Sequence, residues 1–144
     1  MFKRSHSSDR LHHVPLFDAC TPEELARIDS SLTAIRLDAG QVVVREGHYG
    51  AELLIVAEGE VRVTRHSPAG EQELAVLGRG DFVGEIALLE GTPRTASVTA
   101  VTPALVFVAN PREFAVLMSV PTVAAAIRGA ADARLEANRL AVAA

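Results

Sequence analysis

One cysteine, Cys20, stands among the 144 residues. It rules out an intrachain disulfide framework and a multi-cysteine zinc site, and it suits a reducing cytosol. No apolar run reaches the roughly 18 residues that a membrane span requires. The opening MFKRSHSSDR is basic but leads into no apolar stretch, so it makes no signal peptide. Positive charge is not in excess either: 14 Lys and Arg stand against 18 Asp and Glu, a formal net charge of −4. A duplex-binding surface carries the opposite balance, so nucleic acid is not an expected partner. Nucleophile elbows of the G-x-S-x-G type, paired-carboxylate motifs and histidine metal motifs are all missing. His12 and His13 are adjacent and cannot share one helix or strand face, and the other histidines are scattered, so no metal is expected. Cys20 has no activating neighbour and reads as a small packed residue. These absences leave a soluble, cytoplasmic, non-catalytic chain, and a hydrophobic content of 49% is ample for the core of one domain.

What is present is unevenly placed. Nine of the ten glycines fall between Gly40 and Gly91, and only Gly129 lies outside. Short apolar stretches punctuated this often by glycine predict an all-β unit with tight turns. Leu53 to Ala57 is a continuous apolar run closed by Glu58-Gly59. Val61-Arg62-Val63-Thr64-Arg65 then alternates, which makes the two a hairpin. A turn at Ser67-Pro68-Ala69-Gly70 leads into a strand ending near Leu77. Two more strands, about Thr95 to Val101 and Ala104 to Ala109, are separated by Thr102-Pro103.

Helices flank this unit. Thr21-Pro22-Glu23-Glu24 is a capping box with proline at the first helical position, and Leu25 and Ile28 give that helix an apolar face. Asn110-Pro111 opens a second helix with Phe114, Leu117 and Met118 on one face. Pro121 stops it and starts a third, from about Thr122 to Leu140, with Val123, Ile127, Ala130, Ala131, Arg134 and Leu135 as its stripe. Residues 1–13 have no periodicity and are expected to fray, leaving 14–144 as the single domain. The expected architecture is mainly β with flanking helices: one N-terminal helix, a barrel or sandwich of about eight strands, and two C-terminal helices.

The chemistry concentrates in residues 80–100, GDFVGEIALLEGTPRTASVTA. Gly84 permits a tight turn and close approach to the backbone. Glu85 to Leu89 form a helical turn or two, whose first amides lack internal partners and suit a phosphate. Arg94 adds a planar fork that matches two phosphate oxygens, and Thr95 a hydroxyl donor. Glu85 beside a phosphate makes sense as an acceptor for a sugar hydroxyl, as acidic residues serve ribose in dinucleotide folds. A sugar acceptor, amide donors and a phosphate clamp in one segment point to a nucleotide. The plainer alternatives are that Glu85 complements a helix dipole or pairs with Arg94 in an empty site.

Gly84-Glu85-Ile86-Ala87-Leu88-Leu89, followed by Pro93-Arg94-Thr95-Ala96, resembles the phosphate-binding cassette of the cyclic nucleotide-binding domain family. The resemblance runs from about residue 14 to 135 and takes in Leu16-Phe17, Gly40, Gly47 and Gly59. It implies a stand-alone, bacterial-type member with an eight-stranded antiparallel β-roll, jelly-roll-like, between the helices. It also implies that Glu85 takes the ribose 2′-hydroxyl and Arg94 the cyclic phosphate. Amides around Gly84, Ile86 and Ala87, with Thr95 and the neighbouring Ala96, would complete that shell. The base would rest on β-roll side chains, Val63 first, with Ile127 or Arg134 capping it from the last helix.

The function implied is a sensor or regulatory module that binds cAMP, without a cofactor, and moves its C-terminal helices in response. Thr95 keeps cGMP open, because in this family a Thr or Ser there also contacts guanine. An effector protein would read the helices; nucleic acid and membrane are not expected, and the oligomeric state is left open. The alternative is a scaffold or interaction domain that keeps the fold without useful nucleotide affinity. A transcription regulator with a helix-turn-helix is not expected, since the chain stops at Ala144 just after the last helix.

Overall fold

The computed structural model describes Leu11, residues 14–48 and residues 52–143, with side chains as far as Ala137. A 3-10 turn at Pro15–Phe17 precedes helix α1 (Pro22–Asp29). Strands β1 (Thr33–Leu37), β2 (Val42–Val44), β3 (Leu53–Glu58) and β4 (Val61–Ser67) follow. Next come β5 (Gly70–Leu77), β6 (Phe82–Val83) and the short helix α2 (Glu85–Glu90). Strands β7 (Ser97–Ala100) and β8 (Ala104–Ala109) lead to helices α3 (Pro111–Met118) and α4 (Pro121–Ala143).

Local signals set the helix starts. The Thr21 hydroxyl accepts from the Glu24 amide at 3.1 Å, and the Glu24 carboxylate accepts from the Thr21 amide at 2.8 Å. Asn110 and Glu113 make the same reciprocal pair at the start of α3, at 2.8 and 2.9 Å. The second pair was not anticipated beyond its asparagine, although Glu113 has the required spacing.

The strands form two antiparallel four-stranded sheets, ordered β1-β8-β3-β6 and β2-β7-β4-β5. The expected eight-stranded roll between one leading and two trailing helices is therefore present. The observed boundaries differ slightly. The strand expected from Thr95 to Val101 is confined to Ser97–Ala100, and α4 starts at Pro121. β6 has only two residues, paired as Leu54 with Val83 and Ile55 with Phe82, too short for any periodicity to reveal.

Alternation along the central strands sorts the core in two. Leu53 and Ile55 of β3, with Phe107 and Ala109 of β8, join Leu11, Phe17, Ile28, Leu117, Val123 and Ile127 under the helices. Leu54 and Val56, with Val106 and Val108, face Val44, Val61, Val63 and Val98 of the other sheet. Leu11 is buried within the first cluster and its carbonyl accepts from the Val14 amide at 3.1 Å. The rest of the N-terminal segment expected to fray, with His12 and His13, lies outside the described residues. On α4, Val123, Ile127 and Ala131 are buried as the stripe predicted, but Leu135 is exposed. Leu135 sits at the edge of that stripe, past the packed part of the helix. Among the described residues, no single helix is long and apolar enough to cross a membrane.

Candidate functional site

Between the sheets, at the end where α2 and α4 meet the roll, lies a cavity of about 230 Å³. Its walls are apolar: Val44, Val63, Leu74, Ala75, Leu77, Val83 and Val98. Polar groups gather on one side, with Glu85, Arg94, Thr95 and Arg134 in the lining.

The cassette is built by backbone constraints. Gly84 has φ +105°, where side-chain-bearing residues are strained, and it turns the chain from β6 into α2. A Cβ there would sit 2.5 Å from the Glu52 carbonyl oxygen and 2.8 Å from Arg94 Nη1. Only glycine fits this crossing. The main chain of Arg94 is clamped to the loop after β2: its amide donates to the His48 carbonyl at 3.0 Å, and its carbonyl accepts from the Gly47 amide at 2.8 Å.

Glu85 is 1% exposed and Arg94 is 6% exposed. Ionisable groups are almost never buried so deeply without partners. Arg94 Nη2 donates to the Glu52 carbonyl at 2.7 Å and Nη1 to the Gly84 carbonyl at 3.4 Å, the latter a long contact. Burial pushes the Arg94 guanidinium below the usual arginine range, while the negative charges of Glu52 and Glu85 pull it back up. Glu85 is not paired with Arg94. Both its oxygens accept from Arg134 Nη1, the second at 2.6 Å, and Arg134 Nη2 donates to the Phe82 carbonyl at 2.7 Å.

Most of the residues singled out from the sequence meet here. Gly84, Glu85, Ile86, Ala87, Arg94, Thr95 and Ala96 all line the cavity, and Val63 faces it from β4. Thr95 is exposed at the rim. Ile127 does not reach the cavity: it is fully buried in the helix-side cluster, where the inner face of α4 packs. Arg134 is at the cavity, but its guanidinium is held by Glu85 and Phe82 rather than standing free over the space. Cys20 is partly buried, and burial, then Glu24, raises its thiol above the ordinary range, which lowers its thiolate fraction. Among the described residues no three His, Cys, Asp or Glu side chains gather around a possible metal position.

Sequence reasoning missed most of the wall, namely Val44, Leu74, Ala75, Leu77, Val83, Val98 and Ala137. Alternation shows that such residues face inward, but not which strand lies opposite. It also missed Glu52, which acts through its carbonyl, a group every residue carries.

The cyclic nucleotide-binding domain model matches residues 34–120. A cAMP-dependent protein kinase regulatory subunit from Mycosarcoma maydis is 39% identical over 90 residues, 62% of this chain and 17% of that protein. The regulatory domain of Toxoplasma gondii PKA, solved with cAMP, superposes with a TM-score of 0.79 at 27% identity, covering 90% of this chain and 50% of that one. The regulatory subunit of a cAMP-independent protein kinase A from Trypanosoma brucei reaches 0.81 at 25% identity, covering 90% and 47%. The chain spans 32% of the length of an acetyltransferase Pat from Mycolicibacterium smegmatis and 13% of a cGMP-dependent protein kinase from Drosophila melanogaster, so it corresponds to only part of such relatives.

Proposed function

This chain belongs to the cyclic nucleotide-binding domain family, and from that premise we propose that it is a non-catalytic regulatory module binding a 3′,5′-cyclic nucleotide, cAMP in preference to cGMP. The observation that carries the reading is the convergence of two deeply buried charges, Glu85 and Arg94, on one apolar-walled cavity. Arg94 uses two donors on the Glu52 and Gly84 carbonyls, which aim its fork and leave other N–H groups for a phosphate. Glu85 accepts from the ribose 2′-hydroxyl. Ile86 and Ala87 bring the first turn of α2 to the phosphate, and Thr95 with its hydroxyl and the neighbouring Ala96 complete its shell. The base lies against Val63 and its neighbours.

Ligand binding draws α2 and α4 together, and that movement is the output read by an effector protein in the cytoplasm. A ligand can drive it only by binding the closed arrangement better than the open one. Neither nucleic acid nor a membrane is required, and no cofactor enters.

One observation favours a second reading, a scaffold of the same fold without useful nucleotide affinity. The Trypanosoma brucei neighbour that shares this fold is the regulatory subunit of a cAMP-independent protein kinase A. Calorimetric titration with cAMP and cGMP, on protein unfolded and refolded to strip carried-over nucleotide, separates the two. Micromolar or tighter binding supports the sensor, and the preferred ligand identifies the base. Folded protein that gives no heat with either nucleotide supports the scaffold.

A further inference from the structure

Arg134 reaches the site from α4 with its guanidinium already committed. One nitrogen donates to both oxygens of Glu85 and the other to the Phe82 carbonyl, and the guanidinium carbon lies 5.4 Å from the centroid of the Phe82 ring. These contacts join α4 to the first residue of β6 and the first residue of α2. A carboxylate as buried as Glu85 is costly unless a cation and hydrogen bonds compensate it, and Arg134 supplies both. A carboxylate has about four lone-pair positions, so a single nitrogen shared between its oxygens leaves others for a hydroxyl.

We infer that Arg134 is a positioning residue for ribose recognition: from α4 it fixes the Glu85 carboxylate in the orientation that holds a 2′-hydroxyl. The inference rests on the reading that the cavity takes a cyclic ribonucleotide, and it names what selects ribose over deoxyribose there. Helix and sugar then act through one carboxylate, so undocking α4 also weakens the sugar contact.

The test compares cAMP with 2′-deoxy-cAMP by calorimetry in wild type, Arg134→Ala and Arg134→Lys, each shown to be folded by thermal unfolding. Wild type is expected to prefer cAMP by about 30-fold, the scale of one charge-assisted hydrogen bond. In Arg134→Ala the preference falls below about 5-fold, chiefly through weaker binding of cAMP. Arg134→Lys keeps the charge without the planar fork and falls between the two. It carries the test if the alanine variant does not fold. If Arg134 only packs α4, both ligands weaken together and the wild-type ratio persists, which overturns the inference. Tighter cAMP binding in Arg134→Ala also overturns it, because Arg134 would then be a competitor for Glu85. Folded wild type that binds neither ligand overturns the cyclic nucleotide reading, and this inference with it.

Discussion

The two sides of β3 and β8 face two different interiors. On the helix side, Phe17, Phe107, Phe114, Leu53, Leu117 and Ile127 fill the space with large side chains. Inside the roll the facing residues are mostly valine and alanine, among them Val44, Val56, Val63, Val98 and Ala100. Both sets are buried, and β3 and β8 contribute to each one residue out of step: Leu53, Ile55, Phe107 and Ala109 face the helices, while Leu54, Val56, Val106 and Val108 face the roll. Large side chains from three helices close the first interior around a sheet face. Short β-branched side chains from two curved sheets hold the roll together near its middle and leave the cavity open at its end. The roll interior thus keeps open space at its end, while the helix-side interior is filled.

Phe107→Ala strikes the closed side hardest: with Phe107 fully buried, it is expected to lower unfolding stability by about 3–5 kcal/mol in urea titration. A loss under about 1 kcal/mol would mean that the helix-side core is loosely packed. Arg94→Ala strikes the open side, weakening cyclic nucleotide binding by at least about 2 kcal/mol in calorimetry with little loss of stability. Wild-type affinity in a folded Arg94→Ala protein would falsify the phosphate clamp. Gly84→Ala forces a side chain into a positive-φ turn against Glu52 and Arg94. It should cost about 1–3 kcal/mol of stability and also weaken binding, because Arg94 must shift.

A paired substitution sharpens the contrast. Val123→Leu on the helix side should destabilise by about 1–3 kcal/mol, since no space awaits the added methylene. Val63→Leu, pointing into the cavity, should cost less than about 1 kcal/mol of stability yet reduce ligand affinity several-fold. Equal stability losses at the two positions would erase the distinction between a filled and an open interior. The smallest effect is expected at the exposed Thr95: Thr95→Ala should lower cGMP affinity a few-fold more than cAMP affinity, read as a ratio of dissociation constants.

The cassette was legible before the fold because its parts are adjacent in the chain. Gly84, Glu85, Arg94 and Thr95 lie within one segment whose spacing already specifies a turn, a short helix and a basic fork. The first capping box was legible for the same reason, since Thr21 and Glu24 stand three residues apart. β1 was not placed, because four of its five residues are exposed and show no alternation. Ile127 and Arg134 were alternatives for capping the base, and two helical turns separate them along the axis, enough for Ile127 to pack the helix core while Arg134 reaches the cavity.

The sequence by itself determined where the helices begin, that the middle of the chain is a glycine-punctuated β unit, and that one short segment holds Gly84, Glu85, Arg94 and Thr95 together. Those features depend on interactions between near neighbours. The tertiary structure alone decided that Leu74, Val83 and Val98 share one wall, and that the Glu52 carbonyl holds Arg94 across 42 positions of sequence. It also decided that Glu85 takes Arg134 as its partner, 49 positions away. Contacts of that span depend on how the sheets and helices pack, and local sequence patterns carry no record of them.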